Sequence, residues 1–281
     1  MKGNNVRIYL SVDLEGITGV VGSYQILQNT GALPEVRRLL TADVNAAIAG
    51  ARDGGAEEFW VNENHSGRDL LLDELDPDVE LLVGKPKPLQ TVEGLDSSFS
   101  ALFLVGAHAR AGTLGAVLDH TWTTKCVQAV RVNGTEVGEV GLNAMVAGHF
   151  GVPVALVTGD AAVAREAREL LGTVECAVVK HGTDRYSARC LHPVRAHAAI
   201  REAAHRACAD LRRFAPLRLK EPVTLEIDYA DTAFATRASW IPTAERTGAR
   251  TVSFGAPDAV CAMRVFLAAA TLPATIRDPV Y

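Results

Sequence analysis

The chain has 281 residues, of which 48% are hydrophobic and 22% are charged. This length allows a sizeable core, in one large domain or in a core with a smaller appendage. The formal net charge of -5 offers no basic surface, which argues against nucleic acid as the main partner. No stretch approaches the run of about 18 apolar residues that a membrane span requires, so we expect no membrane partner.

The amino terminus and the cysteines predict a cytoplasmic protein with reduced thiols. The first residues, 1–5, lead into a predicted strand without the apolar region of a signal peptide. The five cysteines are scattered along the chain, and none forms a CxxC pair. Zinc-knuckle and thioredoxin-like sites therefore have no support.

The first predicted strand, residues 6–12, ends directly before two carboxylates, Asp13 and Glu15, in the segment SVDLEG. Side chains at positions i and i+2 of a strand point to the same face, so both acids face one spot. Two negative charges so close together are costly unless a cation lies between them. The pair is typical of a metal site, and about as often of a solvated turn.

Strand and helix signals alternate over the first 160 residues. A stretch rich in helix formers has Thr41 as its candidate N-cap and ends at the glycines 54–55. Strands are predicted at 57–62 and 101–108. The order strand, helix, strand indicates a right-handed βαβ unit in a mostly parallel sheet.

The rest of the chain adds a hairpin and further strands and helices. Asn133 and Gly134 predict its two-residue type I′ turn. The later elements are predicted as a helix at 141–151, a strand at 152–159, a helix that starts at Asp160, a strand at 174–180, a helix at about 193–213, a strand at 223–229, and a final strand and helix from 251 to about 270.

These elements predict an α/β fold, with a mostly parallel central sheet flanked by helices and a smaller C-terminal α+β portion packed on it. The catalytic core is expected at 1–190, and residues 191–281 are expected to complete the fold. A single domain is the alternative, because no low-complexity linker separates the two parts.

Titratable side chains follow three of the predicted strands. Asp13 and Glu15 follow the first strand, His65 the second and His108 the third, and Glu139 begins a predicted helix. Ligands of open α/β sheets bind outside the carboxyl ends of the strands, so these groups should converge. Each alone could be an ordinary loop or capping residue. Together, carboxylates and imidazoles suit zinc, manganese or another divalent metal, and several carboxylates allow a two-metal hydrolytic centre.

Segments along the whole chain resemble the zinc-dependent D-aminopeptidase family, which is associated with bacterial dipeptide transport. They are SVDLEGITG, VNENHS, LFLVGAHARAGT, VNGTEVGEVGLNAMVAG, VPVALVTGD, VKHGTDRYSARCLHP and IDYADTAFATRASWIPTAERTGARTVSF. The resemblance implies a metallo-aminopeptidase with two divalent ions, Zn²⁺, that removes an N-terminal D-amino acid such as D-Ala from short peptides. It implies the metal ligands Asp13, Glu15, His65, His108 and Glu139, with Asp13 as the bridge between the ions.

The resemblance also implies a catalytic histidine, described in the family as a nucleophile, at His120 in GAVLDHTW. The stretch between His108 and His120 is one residue longer than the family pattern, which bears on the placement of His120. Glu63 and Asn64 stand where the family has Asp and Ser, which bears on the hydrogen bonds that support the ligands.

Three chemical roles are open to His120. It could act as a nucleophile, as a general acid to the leaving amine, or as a hydrogen-bond donor to the oxyanion. The second and third roles are chemically easier, because a histidine nucleophile would form a labile acyl-imidazole.

Three more side chains lie close to the candidate ligands in the sequence. Asn143 comes one helical turn after Glu139, so it either faces the site or bonds to the backbone. Arg110 is a candidate partner for a substrate carboxylate, or else forms a surface salt bridge. Trp122 is close enough to His120 to line a pocket.

The resemblance further implies a ring-like homo-oligomer, with a decamer as the candidate form, whose active sites face an inner cavity. Other functions remain as alternatives: a related metal-dependent amidase or L-selective peptidase, a metal-dependent phosphoesterase, and a peptide-binding protein. The chain lacks a P-loop pattern and an arginine cluster, which counts against the phosphoesterase. The lack of a signal peptide counts against the peptide-binding protein.

Overall fold

A computed structural model describes residues 5–27, 30–65 and 67–276. Its helices are α1 (Ser23–Ile26), α2 (Leu33–Asp53), α3 (Glu139–His149), α4 (Ala161–Leu171), α5 (Pro193–Ala209), α6 (Thr232–Ala238) and α7 (Ala259–Ala274). Its strands are β1 (Arg7–Val12), β2 (Glu58–Glu63), β3 (Val79–Leu82), β4 (Ala101–Ala107), β5 (Val127–Val132), β6 (Thr135–Glu136), β7 (Val154–Asp160), β8 (Glu175–Asp184), β9 (Ser187–Cys190), β10 (Val223–Tyr229), β11 (Ala244–Arg246) and β12 (Thr251–Ala256).

The larger sheet has the strand order β3-β2-β1-β4-β7-β8-β9, and β9 is its one antiparallel member among the described strands. The mostly parallel sheet of the predicted α/β fold is thereby confirmed. Strand β1 lies between β2 and β4, with Val12 opposite Glu63 on one side and Val105 on the other. The three strands that precede the predicted ligands therefore lie side by side, and their carboxyl ends reach the same edge of the sheet.

Strand β1 is buried on both faces, which is why its sequence is apolar almost throughout. Ile8, Leu10 and Val12 pack in one hydrophobic cluster with helices α2 and α5. Tyr9 points to the opposite face and packs in a second cluster with α3 and α7. Successive side chains of a strand alternate between faces, so helices cover both sides of the sheet.

A second sheet is antiparallel and has the order β11-β12-β10-β5-β6. The turn between β5 and β6 places Asn133 at φ 48° and Gly134 at φ 82°, which confirms the predicted type I′ hairpin. This sheet combines strands from before and after residue 190, and the division into 1–190 and 191–281 remains a prediction. Among the described residues, no helix is long and apolar enough to cross a membrane.

Two predicted helix starts have different outcomes. Asp160 caps α4, with its Oδ1 accepting from the amides of Ala162 and Val163 at 2.9 and 2.8 Å, as predicted. The prediction of Thr41 as an N-cap is wrong, because α2 already begins at Leu33 with a proline in its first turn. Thr41 is inside the helix, and its hydroxyl donates to an earlier backbone carbonyl.

The contact between α2 and α5 leads to a stability prediction. A Cβ on Gly50 would overlap the main chain of Arg201 in α5. Gly50→Ala should therefore lower the free energy of unfolding by about 1–3 kcal/mol, the usual cost of overpacking, although alanine is the better helix former.

Urea unfolding measures this change. Gly31→Ala is the matched control, because no atom lies within 4 Å of the new Cβ there. Wild-type stability of Gly50→Ala would contradict the close approach of the two helices.

Candidate metal centre

The predicted ligands converge at the carboxyl ends of β1, β2 and β4. Nε2 of His108 lies 3.5 Å from Oδ2 of Asp13 and 3.4 Å from Oε1 of Glu139, which is the first residue of α3. Nε2 of His65 lies 3.4 Å from Oε1 of Glu15. All five side chains are therefore within one small region, where strand order and helix α3 bring them together.

Two groups of candidate ligand atoms share His108. Ligand atoms of Asp13, Glu15 and His108 all lie within 4.8 Å of one another. The same holds for His108, His120 and Glu139. His65 adjoins the first group through its contact with Glu15. We call Asp13, Glu15, His65, His108 and Glu139 together the donor cluster, and His120 lies beside it.

Close packing of glycines aligns the ends of β1 and β4. A Cβ on Gly16 would overlap the backbone of Gly106 and Ala107, so the loop after β1 can approach β4 only as glycine. Two backbone hydrogen bonds use this proximity, from Asp13 to Val105 at 2.9 Å and from Gly16 to Gly106 at 2.8 Å. Asp13 is thereby fixed relative to the strand that delivers His108.

Buried polar atoms of the donor cluster lack partners among the described residues. They include Oε2 of Glu15 and Nε2 of His108. Leaving such an atom unpaired costs about 1–3 kcal/mol. Nδ1 of His108 lies 3.1 Å from the Ala109 carbonyl and donates to it, so Nε2 is the ring atom that a metal would contact once it has lost its proton. The residues present therefore fit a divalent metal site.

The pKa values of the carboxylates report their crowding. Burial, followed by the charge of Glu15, raises the pKa of Asp13 well above its usual value, against the pull of His108. Burial would also raise the pKa of Glu15, but the hydrogen bond and charge of His65 hold it well below its usual range. For Glu139, burial is likewise outweighed by His108, and its pKa is lowered.

The pKa values of the imidazoles of His65 and His108 are raised. Burial lowers the pKa of His65, but hydrogen bonds to Asp69 and Glu15 outweigh it and raise the value to about 10. Burial is outweighed in the same way at His108, whose pKa is raised mainly by Glu139. The carboxylates thus stabilise the protonated form of both imidazoles. A metal ion would provide positive charge and release the imidazole protons on binding.

A buried lysine far away in the sequence fixes the loop that carries Asp13 and Glu15. Nζ of Lys180, on β8, donates to the carbonyls of Glu15, Ile17 and Val20 at 2.6, 2.9 and 2.5 Å. All three ammonium hydrogens are thereby used. Burial lowers the pKa of Lys180 to about 8, with nearby carboxylates, Asp160 first, opposing the shift.

A second contact holds the same loop from helix α2. The fully buried carboxylate of Asp43 accepts from the amide and the hydroxyl of Thr18 at 2.9 and 2.8 Å. The loop after β1 is therefore held by side chains from two other elements. Neither Lys180 nor Asp43 was identified from the sequence, because no local pattern signals such distant contacts.

Glu166 on α4 joins the segments that carry His108 and Glu139. Its buried carboxylate accepts from the amide of Arg110 at 2.8 Å through Oε2, and its Oε1 lies beside Gly138, where it would be 2.7 Å from an added Cβ. The Arg110 side chain lies 3.0 Å from Glu136 and 3.7 Å from Glu166. Arg110 is therefore engaged in ion pairs, the second of its two predicted roles.

His120 lies on the loop between β4 and β5 and stacks on His108, with ring centroids 4.0 Å apart and an interplanar angle of 8°. Nδ1 of His120 donates to the Leu118 carbonyl at 2.8 Å, and Nε2 lies 4.0 Å from Oε1 of Glu139. Burial, followed by the charge of His108, lowers the pKa of His120. Nε2 therefore faces the donor cluster, and burial disfavours a second proton on the ring.

The backbone around His120 is strained. Leu118 and Trp122 have φ values of 53° and 67°, a region that residues other than glycine rarely adopt. The Trp122 amide donates to Oε1 of Glu139 at 2.8 Å, which ties this loop to the cluster. Strain of this kind concentrates at functional sites, where surrounding contacts maintain it.

Glu63 and Asn64, the two departures from the family pattern, make different contacts. Glu63 accepts from the amides of Asp69 and Leu70 and lines a different cleft. Asn64 donates to the Ser11 hydroxyl at 2.5 Å and lines a small cavity beside Asp13. Asn143 lines the same cavity and accepts a hydrogen bond from Thr91, so it faces the site.

Two open clefts, of about 390 and 270 Å³, give access to the cluster. Both are lined by Glu15, His65, His120 and Trp122, so Trp122 lines a pocket as predicted. The larger cleft is in the size range of small-molecule sites. A small ligand in these clefts would contact the candidate metal ligands directly.

Comparisons with known proteins agree with the predicted resemblance. A family model described as D-aminopeptidase matches residues 6–268. A D-aminopeptidase of Bacillus subtilis (strain 168) is 36% identical over 264 residues, which cover 93% of this chain and 96% of that protein. The solved structure of the Zn-dependent D-aminopeptidase DppA from Bacillus subtilis, described as a self-compartmentalizing protease, matches with a TM-score of 0.94 and 33% identity, over 97% of this chain and all of that one.

The contacts of Lys180 predict that it supports metal binding without contacting the metal. Lys180→Met removes three donors to the loop of Asp13 and Glu15, so metal affinity should fall about 10- to 100-fold, the usual effect of losing a residue that orients ligands. Competition with a chromogenic chelator measures the affinity.

The matched control for this variant is Lys220→Met on an exposed position before β10. Unfolding curves recorded with chelator separate a loss of folding from a loss of metal affinity. Wild-type affinity of Lys180→Met would contradict this role.

Proposed function

Because the chain belongs to the D-aminopeptidase family and is a metallo-aminopeptidase, we propose that its donor cluster binds two Zn²⁺ ions and that it removes the N-terminal D-amino acid from short peptides. The observation that carries the proposal is the convergence of three carboxylates and two imidazoles, with ligand atoms of Asp13, Glu15 and His108 within 4.8 Å of one another, Glu139 3.4 Å from His108, and His65 3.4 Å from Glu15. The related DppA is described as Zn-dependent, and carboxylates with imidazoles suit zinc. Membership of a peptidase family does not favour a phosphoesterase or a peptide-binding protein.

The proposed ligands are Asp13, Glu15, His65, His108 and Glu139. Asp13, which lies 3.5 Å from His108, is the residue that the family resemblance implies would contact both ions. Bound ions would supply Lewis acidity toward the scissile carbonyl and lower the pKa of the attacking water. The larger cleft, beside His65 and His120, is the proposed place of the peptide.

We assign the movement of the proton to Nε2 of His120. Its Nδ1 proton is committed to the Leu118 carbonyl, so Nε2 begins with a lone pair. Nε2 accepts the proton of the attacking water, and it then donates this proton to the leaving amine as the C–N bond breaks.

The proposal extends to the assembly and the location of the protein. The related DppA is described as self-compartmentalizing, which supports a ring-like homo-oligomer, with a decamer as the candidate form. Free cysteines at all five positions support a reducing compartment, as in the cytoplasm.

An assay with paired substrates tests the proposed activity. The purified protein should hydrolyse D-Ala p-nitroanilide much faster than L-Ala p-nitroanilide and leave a phosphate ester intact. Chelation should abolish the activity, and added Zn²⁺ should restore it. Equal rates on the two enantiomers, or activity that resists chelation, would contradict the proposal.

A second experiment tests the role of His120. His120→Ala should retain the wild-type metal content while kcat falls by roughly 10²-fold or more, the scale of lost general acid–base catalysis. Metal analysis beside steady-state kinetics measures both. The control is His181→Ala, at an exposed position of β8. Loss of metal would instead make His120 a ligand, and unchanged turnover would remove it from the mechanism.

A further inference from the structure

Arg185, in the turn between β8 and β9, is bonded to both residues that precede His120. Its carbonyl accepts from the amide of Leu118 at 2.8 Å, and its Nη1 lies 2.9 Å from Oδ1 of Asp119. Asp119 is buried, and its other oxygen accepts from the amide of Gly112 at 2.7 Å. The guanidinium is thereby held at a defined place beside the catalytic loop.

Arg185 also lines the larger cleft, together with Glu15, His65 and His120, and its guanidinium carbon lies 5.7 Å from the ring centroid of Tyr186, which lines the same cleft. It is the one Lys or Arg side chain among the described residues that line this cleft. Its side chain is 33% exposed, and Asp119 is its one carboxylate partner in the described part of the chain. Asp119 engages Nη1, which leaves Nε and Nη2 for a ligand.

The charges along this cleft match the two ends of a peptide. The donor cluster is rich in carboxylates and, with its metal ions, is the proposed place of the N-terminal residue. A free peptide carries a carboxylate at its other end, and each extended residue spans about 3.3–3.6 Å. A guanidinium provides a planar fork of donors that matches a carboxylate.

We propose that Arg185 binds the free C-terminal carboxylate of the substrate and so determines a preference for short, unblocked peptides. This inference rests on the proposed aminopeptidase activity. Its main alternative is that Arg185 acts only on the enzyme, by positioning Asp119 and through it His120. The two roles differ in their dependence on the substrate, because a positioning role affects blocked and unblocked peptides equally.

The test uses the zinc-loaded full chain and substrates that differ only at the C-terminus. They are D-Ala-Gly and D-Ala-Gly-Gly, the C-terminal amides of both, and D-Ala p-nitroanilide, which has no carboxylate. Arg185→Met should lower kcat/KM for the free acids roughly 10- to 100-fold, as expected for a lost hydrogen bond to a charged group. Activity on the amides and the anilide should fall much less than activity on the free acids, and Arg185→Lys should recover part of the loss that is specific to the acids.

Lys85 provides the comparison within the site, because it lines the smaller cleft and carries the same charge. Lys85→Met should keep the wild-type ratio of acid to amide hydrolysis. The proposal would be overturned if Lys85→Met lowered the ratio of acid to amide hydrolysis and Arg185→Met did not.

Two further results would overturn it. One is an equal loss on acids and amides in Arg185→Met, and the other is a wild type without preference for the acids at both lengths. In either case, wild-type hydrolysis of the D-Ala anilide would leave the proposed function standing. A wild type inactive on every D-Ala compound would overturn the proposed function together with this inference.

Discussion

Three carboxylates largely enclosed at one edge of a parallel sheet repel one another unless positive charge lies among them. Asp13, Glu15 and Glu139 are in this situation, and burial together with the charge of Glu15 raises the pKa of Asp13. The imidazoles of His65 and His108 offset part of the repulsion. Nε2 of His108 lies between Asp13 and Glu139 and has no hydrogen-bond partner among the described residues, and a metal ion would satisfy it. This electrostatic requirement connects the fold to the chemistry.

The rest of the site maintains this unfavourable arrangement. Lys180 and Asp43 hold the loop after β1, and Glu166 joins the segments that carry His108 and Glu139. Most of these contacts are made to backbone atoms, so they fix the position of a ligand without competing for its side chain. A preorganised site of this kind needs little rearrangement during the reaction.

The sequence predicted the donor cluster because strand ends converge by a general rule of parallel sheets. The supporting residues could not be predicted, because the contact between Lys180 and Glu15 joins positions 165 residues apart and leaves no local signal. Local signals succeeded where one interaction dominates, as at the cap Asp160, and failed at Thr41, where a proline upstream extends the helix. The short strands β3 and β11 were also missed, since brief, half-exposed segments carry little pattern.

The metal content of the native protein tests the central claim most directly. Elemental analysis of the folded chain, purified without chelator, should find two zinc equivalents per subunit. A folded protein with no bound divalent ion, even after incubation with Zn²⁺ and desalting, would contradict the account.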